Sequence, residues 1–168
     1  MKILSTILCS IPLMAQVIIT PQSALKAVYG EEIAIDKKRV LLKGEEAAAV
    51  QKHSHGVLQS KLITLYEVGG KTGAYAILLS RKIRTKTATV LYMIDSDGTL
   101  RAAEIIAFNE PPEYLPGASW MKQFEHVGKA GSLQVGSGVS VITGATLSAR
   151  SIAEGARLAM AIVALLKP

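Results

Sequence analysis

Residues 140–148, which read Ser-Val-Ile-Thr-Gly-Ala-Thr-Leu-Ser, are the part of the chain whose residue types and spacing best suit chemistry. Hydroxyl side chains surround Gly144 and Ala145, two small residues that let the backbone come close to a ligand. A predicted helix follows directly, and the first N–H groups of a helix attract anions. The pattern therefore indicates either a phosphate site or a helix that is simply capped by Thr146 or Ser148.

The helix that must position this loop is predicted from about residue 147 to residue 166. Its apolar residues recur at three- and four-residue steps and share one face: Ile152, Ala156, Ala159, Val163 and Leu166. A long amphipathic helix needs an apolar surface to pack on. The remaining elements should supply that surface.

Four strands are predicted ahead of the loop, at residues 61–68, 73–80, 87–94 and 100–108, with turn signals at 69–70 and 97–98. A further short strand is expected at 33–35 and helices at 44–52 and 120–124, while the three prolines of 109–117 indicate a loop. We therefore predict an α+β fold, with a small antiparallel sheet of two hairpins packed against helices.

The N-terminal residues are typical of an export signal. Lys2 is followed by an apolar stretch from Ile3 to Ile19, and cleavage after Ala24 or Ala27 is expected. Residues 1–27 are thus predicted to be a signal peptide or an N-terminal anchor, and residues 28–168 the domain. The protein is expected to be exported, either periplasmic or membrane-associated and facing the periplasm. Cys9, the only cysteine, lies within the apolar stretch, so the domain itself has no thiol chemistry.

Composition argues against several other functions. The net charge of +6 is spread along the chain, without a basic run interleaved with aromatic residues, so nucleic-acid binding is not expected. His53 and His55 read as cations at a helix C-terminus rather than as metal ligands, and no metal site is predicted. No Ser-His-Asp arrangement is evident.

Residues 143–148, followed by an apolar helix, resemble the flavinylation motif of the FMN-binding domain family. That family includes flavin-carrying subunits of the sodium-translocating NADH:quinone oxidoreductase and of the Rnf complex. The resemblance continues over roughly residues 40–163, through landmarks in the family's order: Gly73-Ala74-Tyr75-Ala76, Lys86-Thr87, Asp97-Gly98, Glu110-Pro111 and Lys122-Gln123-Phe124. It implies an FMN joined by a phosphoester to Thr146, installed from FAD by a flavin transferase, on the loop before the C-terminal helix.

The resemblance also implies a role and a set of cofactor contacts. The role is that of an electron carrier working with a membrane or envelope redox partner, rather than of a complete enzyme. One departure is Ser140, which stands where the family pattern has Asp. The alternative is therefore a binding or assembly module that keeps the fold and has lost covalent flavin. The residues expected to contact FMN are Thr143, Gly144, Ala145, Thr146, Ser148, Lys86, Thr87, Glu110, Trp120 and Gln123.

Overall fold

One antiparallel sheet organises the molecule, with strand order β1-β6-β5-β4-β3-β2. The structure is a computed structural model and describes residues 16–70 and 73–167. Within them the strands are β1 (Gln16–Val17), β2 (Ile35–Leu41), β3 (Leu62–Val68), β4 (Ala74–Lys82), β5 (Thr87–Ile94) and β6 (Leu100–Phe108). The helices are α1 (Pro21–Tyr29), α2 (Gly44–Ser54), α3 (Ala118–Met121) and α4 (Thr146–Leu166). These elements confirm the predicted α+β class.

The two predicted hairpins form the centre of the sheet. Strands β5 and β6 have the predicted bounds, because their β-branched and aliphatic residues flank a tight turn at Asp97-Gly98. Gly98 adopts a φ of +91°, which explains why glycine suits that turn. The strand expected at 33–35 instead runs from Ile35 to Leu41 and pairs along its whole length with β3. The sheet is therefore wider than two hairpins.

Helices α2 and α4 cover one face of the sheet. Ten residues of α4 are buried, and they pack on inward-facing side chains of the central strands such as Ile77, Val90 and Ile105. The hydroxyl of buried Tyr92 donates to the carbonyl of Ile152 at 3.0 Å, which fixes α4 against β5. This contact fixes the start of α4, and with it the preceding loop, at one end of the sheet.

Helix α1 lies on the opposite face. Its Ala24 and Leu25 are 1% and 0% exposed and pack in a second cluster with Tyr66, Leu91 and Met93. The predicted targeting segment thus overlaps α1, while residues 1–15 lie outside the described part of the chain. In the part that is described, no helix has both the length and the apolar character needed to span a membrane.

Candidate functional site

A cavity of about 260 Å³ lies at the N-terminus of α4. Gly144, Ala145, Thr146 and Ser148 line it, as does Leu147. Four of the residues predicted from the loop pattern are therefore brought together around one space. Gly144 has a φ of +80°, a left-handed conformation that glycine adopts without strain, and this lets the chain turn into the helix.

The sequence left two alternatives for the start of this helix, an anion site or a cap by Thr146 or Ser148. The structure shows no side-chain cap in the described residues, and the N-cap residue is Ala145. The hydroxyl of Thr146 instead donates to the carbonyl of Ile142 at 3.2 Å. The first N–H groups of a 21-residue helix are thus available to an anion, which their partial positive charge favours.

Ser148 supplies a second indication of a ligand. Its side chain is 1% exposed, and its Oγ has no hydrogen-bond partner among the described residues. A buried hydroxyl without a partner is costly, and native proteins almost always satisfy such groups. Because Ser148 lines the cavity, a bound oxyanion is a suitable acceptor for this hydroxyl.

Arg84 and Tyr114 complete the cavity wall, and sequence reasoning missed both. The Arg84 guanidinium stacks over the Tyr114 ring, 4.6 Å from its centroid. This stacking restricts the arginine while leaving its N–H groups free to bind a phosphate in a forked geometry. No local sequence signal links them, since residues 84, 114 and 146 are far apart in the chain.

Glu110 organises the loop that carries Arg84. Its Oε1 accepts the backbone N–H groups of Arg84, Thr85 and Lys86, each at 2.8 Å. These hydrogen bonds, the one from Lys86 first, lower the pKa of Glu110 below its usual range. The buried carboxylate is thus fully engaged with backbone, and its part in the site is to shape the loop between β4 and β5.

The remaining predicted contacts lie around the cavity rather than in its wall. Lys86 and Thr87 sit at the start of β5, where the Thr87 hydroxyl accepts from Asn109 at 3.1 Å. Trp120 and Gln123 hydrogen-bond to the backbone of Ser140. Thr143 is exposed on the loop. None of these residues lines the cavity, and their contact with FMN stays a prediction.

Comparison with known proteins agrees with this geometry. Residues 85–161 match the family model of the FMN-binding domain. The match covers β5, β6, the proline loop, residues 140–145 and most of α4, and it confirms the resemblance predicted from the motif. No curated protein and no solved structure matches the chain.

Proposed function

We propose that this chain is an electron-transfer protein of the cell envelope with FMN esterified to Thr146, since residues 85–161 match the family model of the FMN-binding domain, whose cofactor is FMN. The observation that carries the proposal is the cavity at the start of α4. There Thr146, Ser148 and Arg84 line one space, and the buried Ser148 Oγ has no hydrogen-bond partner among the described residues.

The residues of the cavity fit a phosphate group. A phosphoester to Thr146 keeps one negative charge, which the open N-terminus of α4 and Arg84 both stabilise. The Ser148 hydroxyl is placed to donate to one of its oxygens, which would satisfy the orphaned Oγ. Gly144 and Ala145 leave room for the group because they present little or no side chain.

The attachment step requires a flavin transferase and FAD. The Thr146 Oγ forms a bond to the phosphorus on the riboflavin side of FAD, while the bond from that phosphorus to the bridging oxygen breaks. AMP leaves with that oxygen, and a base of the transferase takes the hydroxyl proton. Intermediate exposure of Thr146 and an exposed Thr143 and Gly144 beside it make the loop accessible to a second protein.

The proposed role is that of a carrier. When bound, FMN supplies reversible acceptance and donation of electrons, and the chain supplies its binding and orientation. The apolar segment after Lys2 supports export, and the net charge of +6 suits an acidic redox partner or an anionic membrane surface. A covalent tether would keep the cofactor in a compartment from which free flavin diffuses away.

The test is the intact mass of protein produced in a bacterium that also expresses a flavin transferase. Wild type should gain the mass of FMN minus one water, and Thr146→Val should gain nothing because it lacks the acceptor oxygen. Thr146→Ser, which restores a hydroxyl, should recover labelling. The loaded protein should be yellow, bleach on reduction and recover its absorbance when an oxidised acceptor is added.

Three outcomes would overturn parts of the proposal. Labelling that persists in Thr146→Val and disappears in Thr143→Val would move the attachment site. An unmodified wild type that retains FMN through native purification would make the flavin non-covalent. An unmodified and colourless wild type would favour the binding or assembly module, with Ser140 as the altered position of the motif.

A further inference from the structure

Ser140, the position at which this chain departs from the family pattern, is held through its backbone. Its N–H donates to Oε1 of Gln123 at 2.8 Å, and its carbonyl accepts from the indole Nε1 of Trp120 at 2.9 Å. The Ser140 side chain itself is exposed. The side chains of Trp120 and Gln123 therefore hydrogen-bond to both the carbonyl and the N–H of Ser140, in the loop that precedes Thr146.

This grip is anchored in the main core. The Trp120 ring packs on Phe124 with the ring centroids 5.3 Å apart, and Phe124 is 0% exposed. The amide of Gln123 is also oriented, because its Nε2 donates to the Trp120 carbonyl at 3.0 Å while its Oε1 faces Ser140. The Gln123 acceptor and the Trp120 donor that hold Ser140 are thus themselves held in place.

The loop beyond Ser140 depends on this anchor. Val141 is 54% exposed, and Thr143 and Gly144 are exposed as well. Only Ile142 is partly buried, and its carbonyl accepts both the Ala145 N–H at 3.1 Å and the Thr146 hydroxyl at 3.2 Å. A short exposed loop thus runs from a fixed point at Ser140 to the acceptor oxygen, and Ile142 lies between them.

We propose that Trp120 and Gln123 are positioning residues that fix the acceptor loop and so present the Thr146 hydroxyl for flavin attachment. They act through the backbone of Ser140, which makes two hydrogen bonds with α3 and the turn that follows it. The inference rests on the proposed covalent attachment. It gives Trp120 and Gln123 a second part, support of the acceptor loop, beside their predicted contact with the flavin.

The experiment compares Gln123→Leu and Trp120→Phe with wild type in two measurements. Gln123→Leu keeps much of the side-chain volume but removes the acceptor, and Trp120→Phe keeps an aromatic ring on Phe124 but removes the N–H donor. In flavin-free protein, hydrogen exchange at the Ser140 amide should accelerate in Gln123→Leu by at least tenfold. With purified flavin transferase and FAD, the initial rate of FMN addition should fall by about tenfold to a hundredfold in each variant, since small misplacements of a reacting group have effects of that size.

Two further variants separate positioning from general structure. Gln123→Glu keeps an oxygen acceptor for Ser140 and should recover a large part of the labelling rate that Gln123→Leu loses. Gln134→Leu, a matched change at an exposed glutamine of the preceding loop, should label at the wild-type rate. The melting temperatures of Gln123→Leu and wild type should differ by little, because the amide lies at the edge of the core.

The two proposals fail in distinguishable ways. If wild type is not labelled at all, covalent attachment fails, and the grip on Ser140 is then judged by hydrogen exchange alone. If wild type is labelled and Gln123→Leu and Trp120→Phe are labelled equally fast, the positioning role is overturned. Unchanged exchange at the Ser140 amide in Gln123→Leu would overturn it as well.

Discussion

The two faces of the sheet are covered by helices of very different size. On one face α4 buries ten of its 21 residues, and α2 packs beside it. On the other face α1 has nine residues, of which Ala24 and Leu25 are buried. The larger helix also begins at the proposed attachment site, so the stability of its face and the geometry of the site are linked. The smaller helix overlaps the segment that the sequence assigns to targeting.

The contacts of α1 show how residues ahead of position 28 join the folded unit. Helix α1 is tied to the sheet at its C-terminal end, where the Tyr29 hydroxyl donates to Asp95 at 3.3 Å and Arg101 stacks 5.6 Å from the Tyr29 ring centroid. Asp95 in turn accepts from Arg101 Nε through both carboxylate oxygens. These contacts join α1 to the turn between β5 and β6. Helix α1 is therefore packed as part of the same folded unit as the sheet.

Removing α1 should lower the free energy of unfolding more than any other change considered for the two faces. A chain that starts at Val28, as cleavage after Ala27 would leave it, should lose more than about 3 kcal/mol of unfolding free energy relative to a chain that starts at Gln16. Burial of one leucine contributes about 1.5–3 kcal/mol, and Ala24 and the sheet residues beneath are uncovered as well. Urea unfolding measures the difference. Equal stability of the two chains would show that α1 is dispensable and would support cleavage within it.

Gly155→Ala tests how closely α4 packs on Tyr92 of β5. A methyl group at this position would overlap the hydroxyl and ring of Tyr92. Overpacking costs about 1–3 kcal/mol, and the helix propensity gained by alanine offsets about 1 kcal/mol of it, so we expect a net loss of up to about 2 kcal/mol. Thermal or urea unfolding checks the value.

Tyr92→Phe provides the control for that change, because it removes the overlapping oxygen. In a double-mutant cycle the loss caused by Gly155→Ala should be smaller in the Tyr92→Phe background. An identical loss in both backgrounds would mean that α4 and β5 are not in the close contact described.

Glu104→Gln should give the smallest change in the free energy of unfolding. Glu104 lies on β6, on the face of the sheet that α1 covers. Partial burial raises the pKa of Glu104, and the like charge of Glu125 adds to the shift. A carboxyl whose pKa is raised in the folded state destabilises the protein only once it is ionised. Below about pH 4, where the unfolded chain is also largely protonated, the variant should match wild type. At pH 7 it should be more stable by a few tenths of a kcal/mol, because the side chain is largely exposed.

Urea unfolding at pH 3.5 and pH 7 checks this sign. A variant that is less stable than wild type at pH 7, or one whose advantage is the same at both pH values, would contradict the assigned cause. Glu125→Gln should act in the same direction with a smaller amplitude, since it removes only the repulsion.

Elements defined by local patterns were predicted well. The bounds of β5 and β6 follow from β-branched and aliphatic runs on either side of Asp97-Gly98, and α4 follows from its apolar periodicity. Strand β2 was largely missed because it is polar and mostly exposed, and only pairing with β3 makes it a strand. Most of helix α1 falls within residues 1–27, which the sequence predicts as a signal peptide or anchor, because sequence alone does not show what covers Leu25.

For the site, the sequence pattern indicated the loop of residues 140–145 and the helix that follows it, because those features are contiguous, and the resemblance over roughly residues 40–163 indicated FMN. The packing of distant elements adds that Arg84 and Tyr114 join the cavity, that Glu110 shapes a neighbouring loop, and that Trp120 and Gln123 hold Ser140. Each of those contacts joins residues 17 or more positions apart. Such contacts arise from the docking of whole elements on the sheet, which no local spacing of residues encodes.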